Sequence, residues 1–188
     1  MNSFATWLRD QPALVGEPPV LSLDDLPDDP VALFVEWMQN AAARGVAEPH
    51  AATLATVDAT GMPDSRTLIV KDVSPRGWAF AGPRTSAKSE QLAVSPVAAM
   101  NFWWQPIRRA VRLRGTVQEA SELESEADLA ARSESARAGI LPGQWVRWWL
   151  LPERIEFWQG AADRHHTRIA YARRGDGWNI DQENGDQR

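Results

Sequence analysis

Six consecutive residues, Asp163-Arg164-His165-His166-Thr167-Arg168, bring two guanidinium groups and two imidazoles together just after the strand-like run Ile155-Glu156-Phe157-Trp158-Gln159-Gly160. Arginine grips carboxylates and phosphates through paired N–H donors, histidine exchanges a proton near neutral pH, and an indole offers a flat apolar face. A planar, anionic ligand suits that set. An edge strand ending in a solvated basic turn is the other reading these residues leave open.

Two earlier stretches carry related chemistry. Arg66 and Lys71 flank Thr67-Leu68-Ile69-Val70, and on a regular strand their odd separation puts them on opposite faces, one toward a ligand's tail and the other toward its reactive end. A pair of solvated strand charges is the alternative. Thr85-Ser86-Ala87-Lys88 opens a helix, where backbone N–H groups, a hydroxyl and an ammonium converge on phosphate, although Ser86 is equally an ordinary N-cap. Neither a glycine-rich dinucleotide fingerprint nor a P-loop is present, so a nucleotide would have to bind in some other way. Ser86, Ser89 and Ser133 lack a nucleophile-elbow motif, and three histidines without cysteine do not make a metal site.

Composition narrows the classes. With 188 residues, 44% hydrophobic and 24% charged, the chain is sized for one domain with its own core. A net charge of −5 argues against a general nucleic-acid surface, so any anion site is local. The first sixteen residues lack the basic start and apolar run of a signal peptide, and no stretch approaches a membrane span; a cytoplasmic protein with no membrane partner is expected. Ten tryptophans against one tyrosine suit dry aromatic packing, or a surface for a planar ligand or a partner chain.

The elements that must position these residues follow from pattern. Prolines and aspartates over 1–29 predict an extended N-terminal arm, free to lie over a neighbouring subunit, and residues 30–188 a single domain. Asp29-Pro30 starts a helix with Phe34, Trp37, Met38 and Ala41 on its apolar face and Gly45 at its close. Strands are predicted over Ala52–Asp58 and Ser65–Val73, joined by the turn 59–64, then over Trp78–Ala81, Val97–Trp104 and Arg109–Glu119, the last two broken by Gln105-Pro106. Arg154–Gln159, Ile169–Arg173 and Trp178–Asp181 complete the strands, and helices run from Ser86 to about Val94 and from Ser121 to about Ala138. Hairpins with a few helices give an α+β barrel.

The run Ala52-Thr53-Leu54-Ala55-Thr56-Val57-Asp58, then Ser65-Arg66-Thr67-Leu68-Ile69-Val70-Lys71, then Ser86-Ala87-Lys88 with Gln91-Leu92, and finally Ile155 to Gly160 with Arg164-His165-His166-Thr167-Arg168, resembles the pyridoxamine 5′-phosphate oxidase family. Four motifs in the correct order and spacing carry the likeness, from about Pro30 to Asp181. The resemblance implies a mostly antiparallel FMN-binding split β-barrel with flanking helices, working as a cytoplasmic homodimer with the cofactor at the subunit interface. It implies that Arg66, Thr67, Leu68, Ser86 and Lys88 hold the FMN phosphate and ribityl tail, that Lys71 lies near flavin and substrate, and that Trp158 and Arg168 come from the partner. Arg164 and His166 would face the substrate as catalytic residues, with Lys71 and Arg132 as further substrate contacts. His165 receives no role.

The departures from the family pattern shape the expected activity. Ala81-Gly82 stand where a tyrosine-like residue and threonine are common, Ala87 replaces an arginine and Ala110 a glutamine near the flavin. In the substrate-phosphate clamp Arg132 is kept, but Asp128 replaces a tyrosine and Ala136 a serine, and Gln144 is the one remnant of a Gln-Ser pair. An aspartate facing a phosphate is repelled. The expectation is an FMN-dependent oxidase transferring a hydride from a small cyclic or aromatic substrate to FMN, with dioxygen as acceptor, of a phenazine-biosynthesis type. Authentic pyridoxine/pyridoxamine phosphate oxidation, a non-catalytic flavin-binding dimer, and a relative using deazaflavin or haem are the alternatives.

Overall fold

A computed structural model describes residues 3–184, and its nine strands form one antiparallel sheet: β1 (Ala51–Val57), β2 (Pro63–Ile69), β3 (Asp72–Ser74), β4 (Gly77–Pro83), β5 (Val97–Trp104), β6 (Arg109–Glu119), β7 (Trp145–Gln159), β8 (Thr167–Arg174) and β9 (Gly177–Asn184). Five helices accompany them: α1 (Phe4–Arg9), α2 (Pro30–Ala43), α3 (Ala87–Val94), α4 (Glu122–Ala130) and α5 (Glu134–Arg137).

The strand order is β2-β1-β5-β6-β7-β4-β3, with β8 and β9 branching from β7. The two edge strands of that path, β2 and β3, are joined by Val70 and Lys71 alone. Two residues span at most about 10 Å, so the sheet must curl until its edges meet. At the seam the Val70 N–H donates to His50 and the Lys71 N–H to Ala79, both through carbonyls (3.0 and 2.8 Å). Edges that meet without pairing make a split barrel.

Local chemistry sets the hairpins. In the β1–β2 turn the Asp58 carboxylate accepts from the Thr60 and Met62 N–H groups, and Gly61 takes φ +85°. Gln105–Ile107 forms a 3₁₀ turn between β5 and β6 where proline forbids further pairing. Along β6, Val111, Leu113 and Val117 are buried while Arg112, Arg114 and Thr116 are exposed, as alternation predicts.

The long strand β7 organises the rest. Its first half pairs with β4 and its second half with β8, while β6 runs beside both. A register shift after Arg114 leaves Glu153 as an extra residue on β7, and such a bulge bends a strand. Helix α2 plugs the barrel: Asp29 caps it through the Val31 N–H, and Phe34 and Trp37 meet Trp78, Phe102 and Phe157 at centroid distances of 4.9–5.2 Å in edge-on geometry.

Several expectations are corrected. The N-terminal arm is not extended throughout, because Ser3 caps the short helix α1. The segment between α1 and α2 is pinned to its own barrel: Glu17 N–H to Pro106 O, Gln159 Nε2 to Pro19 O and Tyr171 Oη to Pro27 O. The helix expected from Ser121 to Ala138 breaks after Ala130 and restarts at Glu134 under the Ser133 N-cap. The strand expected from Arg154 begins at Trp145.

Candidate functional site

Helix α3 and the β1–β2 hairpin build the first half of the site. Ser86 is the N-cap of α3, yet its hydroxyl makes no capping bond. It contacts Ser89 Oγ (2.8 Å) and accepts from Lys88 Nζ (3.1 Å). Arg66 reaches in from β2, donating to Thr56 Oγ1, Gln91 Oε1 (3.0 Å) and Asp64 Oδ2 (2.7 Å).

Lys88 is half-buried and has no acidic partner among the described residues. Burial first, and the nearby Arg66 second, hold its ammonium below the ordinary lysine range. An unpaired ammonium with a guanidinium nearby at a helix N-terminus is an arrangement that a phosphate dianion would settle. Thr67 is exposed on the other face of β2 and Leu68 packs against the core.

The second half lies just beyond the far end of β7. Trp158 stands on β7 between Ala110 of β6 and Arg168 of β8. The His166 ring lies 4.9 Å from the Trp158 indole, centroid to centroid. A Cβ on Gly160 would fall 2.7 Å from the Trp158 ring and 2.9 Å from Leu14, so glycine there lets the indole fold back over the chain. Arg164 occupies the left-handed region (φ +72°) in the turn before β8, a conformation that costs a non-glycine residue about 1 kcal/mol or more.

His166 Nδ1 accepts from the Ala161 N–H (3.1 Å), which leaves the ring proton on Nε2. Burial, then Arg168 and Arg164, lower its pKa below the ordinary 6.5. The neutral imidazole is therefore an N–H donor with the charges of Arg168 and Arg164 near it. Arg168 is shared with Glu156, a nearly buried carboxylate 4.0 Å away that also takes Arg112 at 2.8 Å. His165 turns outward to Asp163 (3.4 Å).

The remaining expected residues stand apart. Arg132 stacks on the Trp145 ring at 4.4 Å and donates to the Ala136 carbonyl, while Asp128 accepts the Trp145 indole N–H (2.8 Å). Asp128 thus faces an indole, and the pair locks α4 to the start of β7. Gln144 accepts from the Leu141 N–H within its own turn. Lys71 sits on the seam after β2 has ended, so strand parity does not set its direction.

Within one copy no contact joins the two clusters among the described residues. Gly82, beside Lys88, pairs with Val146 at the start of β7, and Trp158 lies twelve positions on, about 40 Å along an extended strand. Residues to which the sequence reading gave no role also take part. Thr56 orients Arg66, which needs the hairpin register to see, and Trp148 lies under Lys88 at 5.7 Å. Gln91, three residues after Lys88 on α3, was the legible one.

The chain is a split barrel with a cationic, hydroxyl-lined cradle at a helix start and, apart from it, an indole beside an imidazole and a guanidinium. Residues 38–170 match the family model described as Pyridoxamine 5′-phosphate oxidase, and the chain belongs to that family of oxidoreductases. It is 34% identical to a pyridoxine/pyridoxamine 5′-phosphate oxidase of Caulobacter vibrioides over 86% of this chain and 85% of that one. With pyridoxine/pyridoxamine 5′-phosphate oxidase 1 of Ralstonia nicotianae identity is 35%, over 85% and 91%.

Among solved structures, PhzG from Burkholderia lata 383 in complex with tetrahydrophenazine-1-carboxylic acid superposes with a TM-score of 0.82 at 26% identity, covering 90% of this chain and 100% of that one. A pyridoxamine 5′-phosphate oxidase-related, FMN-binding protein from Nostoc punctiforme shares the fold, with a TM-score of 0.68 at 19% identity over 79% and 95%.

Proposed function

We propose that this protein is an FMN-dependent oxidase that works as a homodimer on a planar aromatic or cyclic carboxylate, with dioxygen as final acceptor. The observation that carries the reading is the half-buried Lys88 ammonium, which has no acidic partner among the described residues and stands near Arg66 at the start of α3, since burying such a charge is costly unless an anion joins it. Arg66, Ser86 and Lys88 would hold the FMN phosphate, with Thr67 and Leu68 along the tail and Lys71 toward the ring. Trp158 and Arg168 of the second copy would complete the site. When bound, FMN supplies the redox step, taking a hydride from a substrate carbon and passing the electrons to dioxygen.

The chain's own residues handle recognition. Arg164 offers the fork of donors that a carboxylate accepts, and the Nε2–H of His166 donates to a second oxygen or a ring heteroatom. With Nδ1 committed to Ala161, His166 is a donor first and a base only after its turn rearranges. The Trp158 face excludes water from the flat side of the ligand. Tying up Arg132 and Asp128 at Trp145 leaves no free phosphate clamp there, which favours a carboxylate over a phosphorylated vitamer. The likeness to PhzG points the same way. The relatives at 34–35% identity favour the vitamer.

One experiment separates these readings. Titrated apo-protein should take up FMN, and Lys88→Ala should weaken uptake by roughly ten- to a hundredfold, the 1.5–3 kcal/mol typical of a charge-assisted contact. A Soret band, or an FMN affinity unchanged from wild type in both Lys88→Ala and Arg66→Ala, would overturn the cofactor assignment. Anaerobic bleaching of the bound flavin by aromatic carboxylates and not by pyridoxine or pyridoxamine phosphate is expected; the reverse order makes the protein a vitamer oxidase.

A further inference from the structure

Trp103 and Trp7 are the tryptophans left half-exposed among the described residues, and only Trp103 lies on the barrel. It ends the outward-facing row of β5, with 47% of its surface open. Its direct partner on β6 is Ala110, whose partner on β7 is Trp158. Three residues in one cross-strand row therefore read tryptophan, alanine, tryptophan. Because the central side chain is a methyl group, the two indoles meet across it, 6.0 Å apart and tilted by 52°. Any longer side chain at 110 would stand between them.

The Trp158 indole is already confined by His166 on one side and by Gly160 and Leu14 on another. Trp103 closes a further side and keeps a face of its own uncovered. Adjoining exposed aromatic surface rimmed by polar side chains is a mark of a ligand-binding groove, and a further flat ring gains by packing offset or edge-on against such indoles. We infer that Trp103 is a cofactor-binding residue: together with Trp158, which it meets across the small Ala110, it forms a two-indole wall for the isoalloxazine ring. The inference rests on the FMN reading above and concerns the ring, whereas Arg66 and Lys88 concern the phosphate.

That division supplies the test, because riboflavin shares the ring and lacks the phosphate. Apo-protein of the wild type, Trp103→Ala, Trp103→Phe and Lys88→Ala is titrated with FMN and with riboflavin, followed by the flavin's own fluorescence, and the assembly state of each variant is measured by sedimentation. Trp103→Ala should weaken both flavins by the same factor, roughly three- to tenfold for a lost aromatic contact. Trp103→Phe should recover most of that loss, and Lys88→Ala should weaken FMN alone.

Unchanged riboflavin affinity in Trp103→Ala overturns the inference while leaving the FMN reading intact. So does weakening that appears only together with dissociation into monomers, which would assign Trp103 to the subunit interface. A wild-type protein that binds neither flavin overturns both.

Discussion

His166 shows how a single residue's setting fixes its role. Its Nδ1 is committed to the Ala161 N–H, and its pKa is depressed by burial and by the two flanking arginines. The neutral donor form is complete above the ordinary histidine value of 6.5 and is lost as pH falls through the lower folded value. Stability has the same sign, since the unfolded chain takes up this proton first on acidification. The rate of flavin reduction by a carboxylate substrate should then be flat around neutrality and fall only on the acid side. His166→Gln, which keeps an N–H donor but cannot titrate, should remove the acid limb while keeping the neutral-pH rate within about an order of magnitude. An acid limb that survives in His166→Gln would place the titrating group elsewhere. Residue identities at this site were legible because donors, cations and a flat ring announce their chemistry. Commitments were not: Asp128 reads as a free carboxylate until Trp145 is seen to occupy it, and nothing in the spacing brings those two together.

At the scale of elements, turn chemistry made the β1–β2 and β5–β6 hairpins readable, since Asp58, Gly61 and Gln105-Pro106 dictate their own geometry. The first half of β7 was not readable, because it is buried on both faces and shows no alternation: Trp145, Val146, Trp148, Trp149 and Leu150 are all buried. Arg132 and Ser133 hid the α4–α5 break for a different reason, as neither proline nor glycine marks it and only the Ser133 cap does. The bend that lets β7 serve both β4 and β8 depends on Gly115. A Cβ there would lie 2.0 Å from the Leu151 carbonyl oxygen and 2.8 Å from Pro152 Cα, both backbone atoms that cannot step aside. Gly115→Ala should therefore cost about 1–3 kcal/mol or more, as overpacking does, read as a lowered denaturation midpoint. A midpoint equal to wild type would mean that β6 and β7 part there without strain.

For the whole molecule, β7 sets the two clusters at opposite ends, so that in the proposed homodimer each copy would carry half of two sites. The phosphate cradle sits by the first residues of that strand and the indole, imidazole and guanidinium by its last, with Arg112 and Arg114 exposed and Arg154 half-buried along the sheet face between them. No contact joins the two ends within one copy among the described residues; a second copy running the other way would bring the opposite halves together. An isologous pair of this kind makes two composite sites. Lys88→Ala damages the cradle half and Arg168→Ala the indole half, and each homodimer then has two defective sites. When the two variants are unfolded and refolded together, half of the random dimers pair one of each. In those dimers one site collects both lesions and the other collects none. Mixing two weakly binding proteins should thus restore wild-type affinity at about a quarter of the flavin sites, measured by titration of the mixture. If the two clusters served one ligand within a single copy, mixing would restore nothing, and the composite dimer would have to be abandoned.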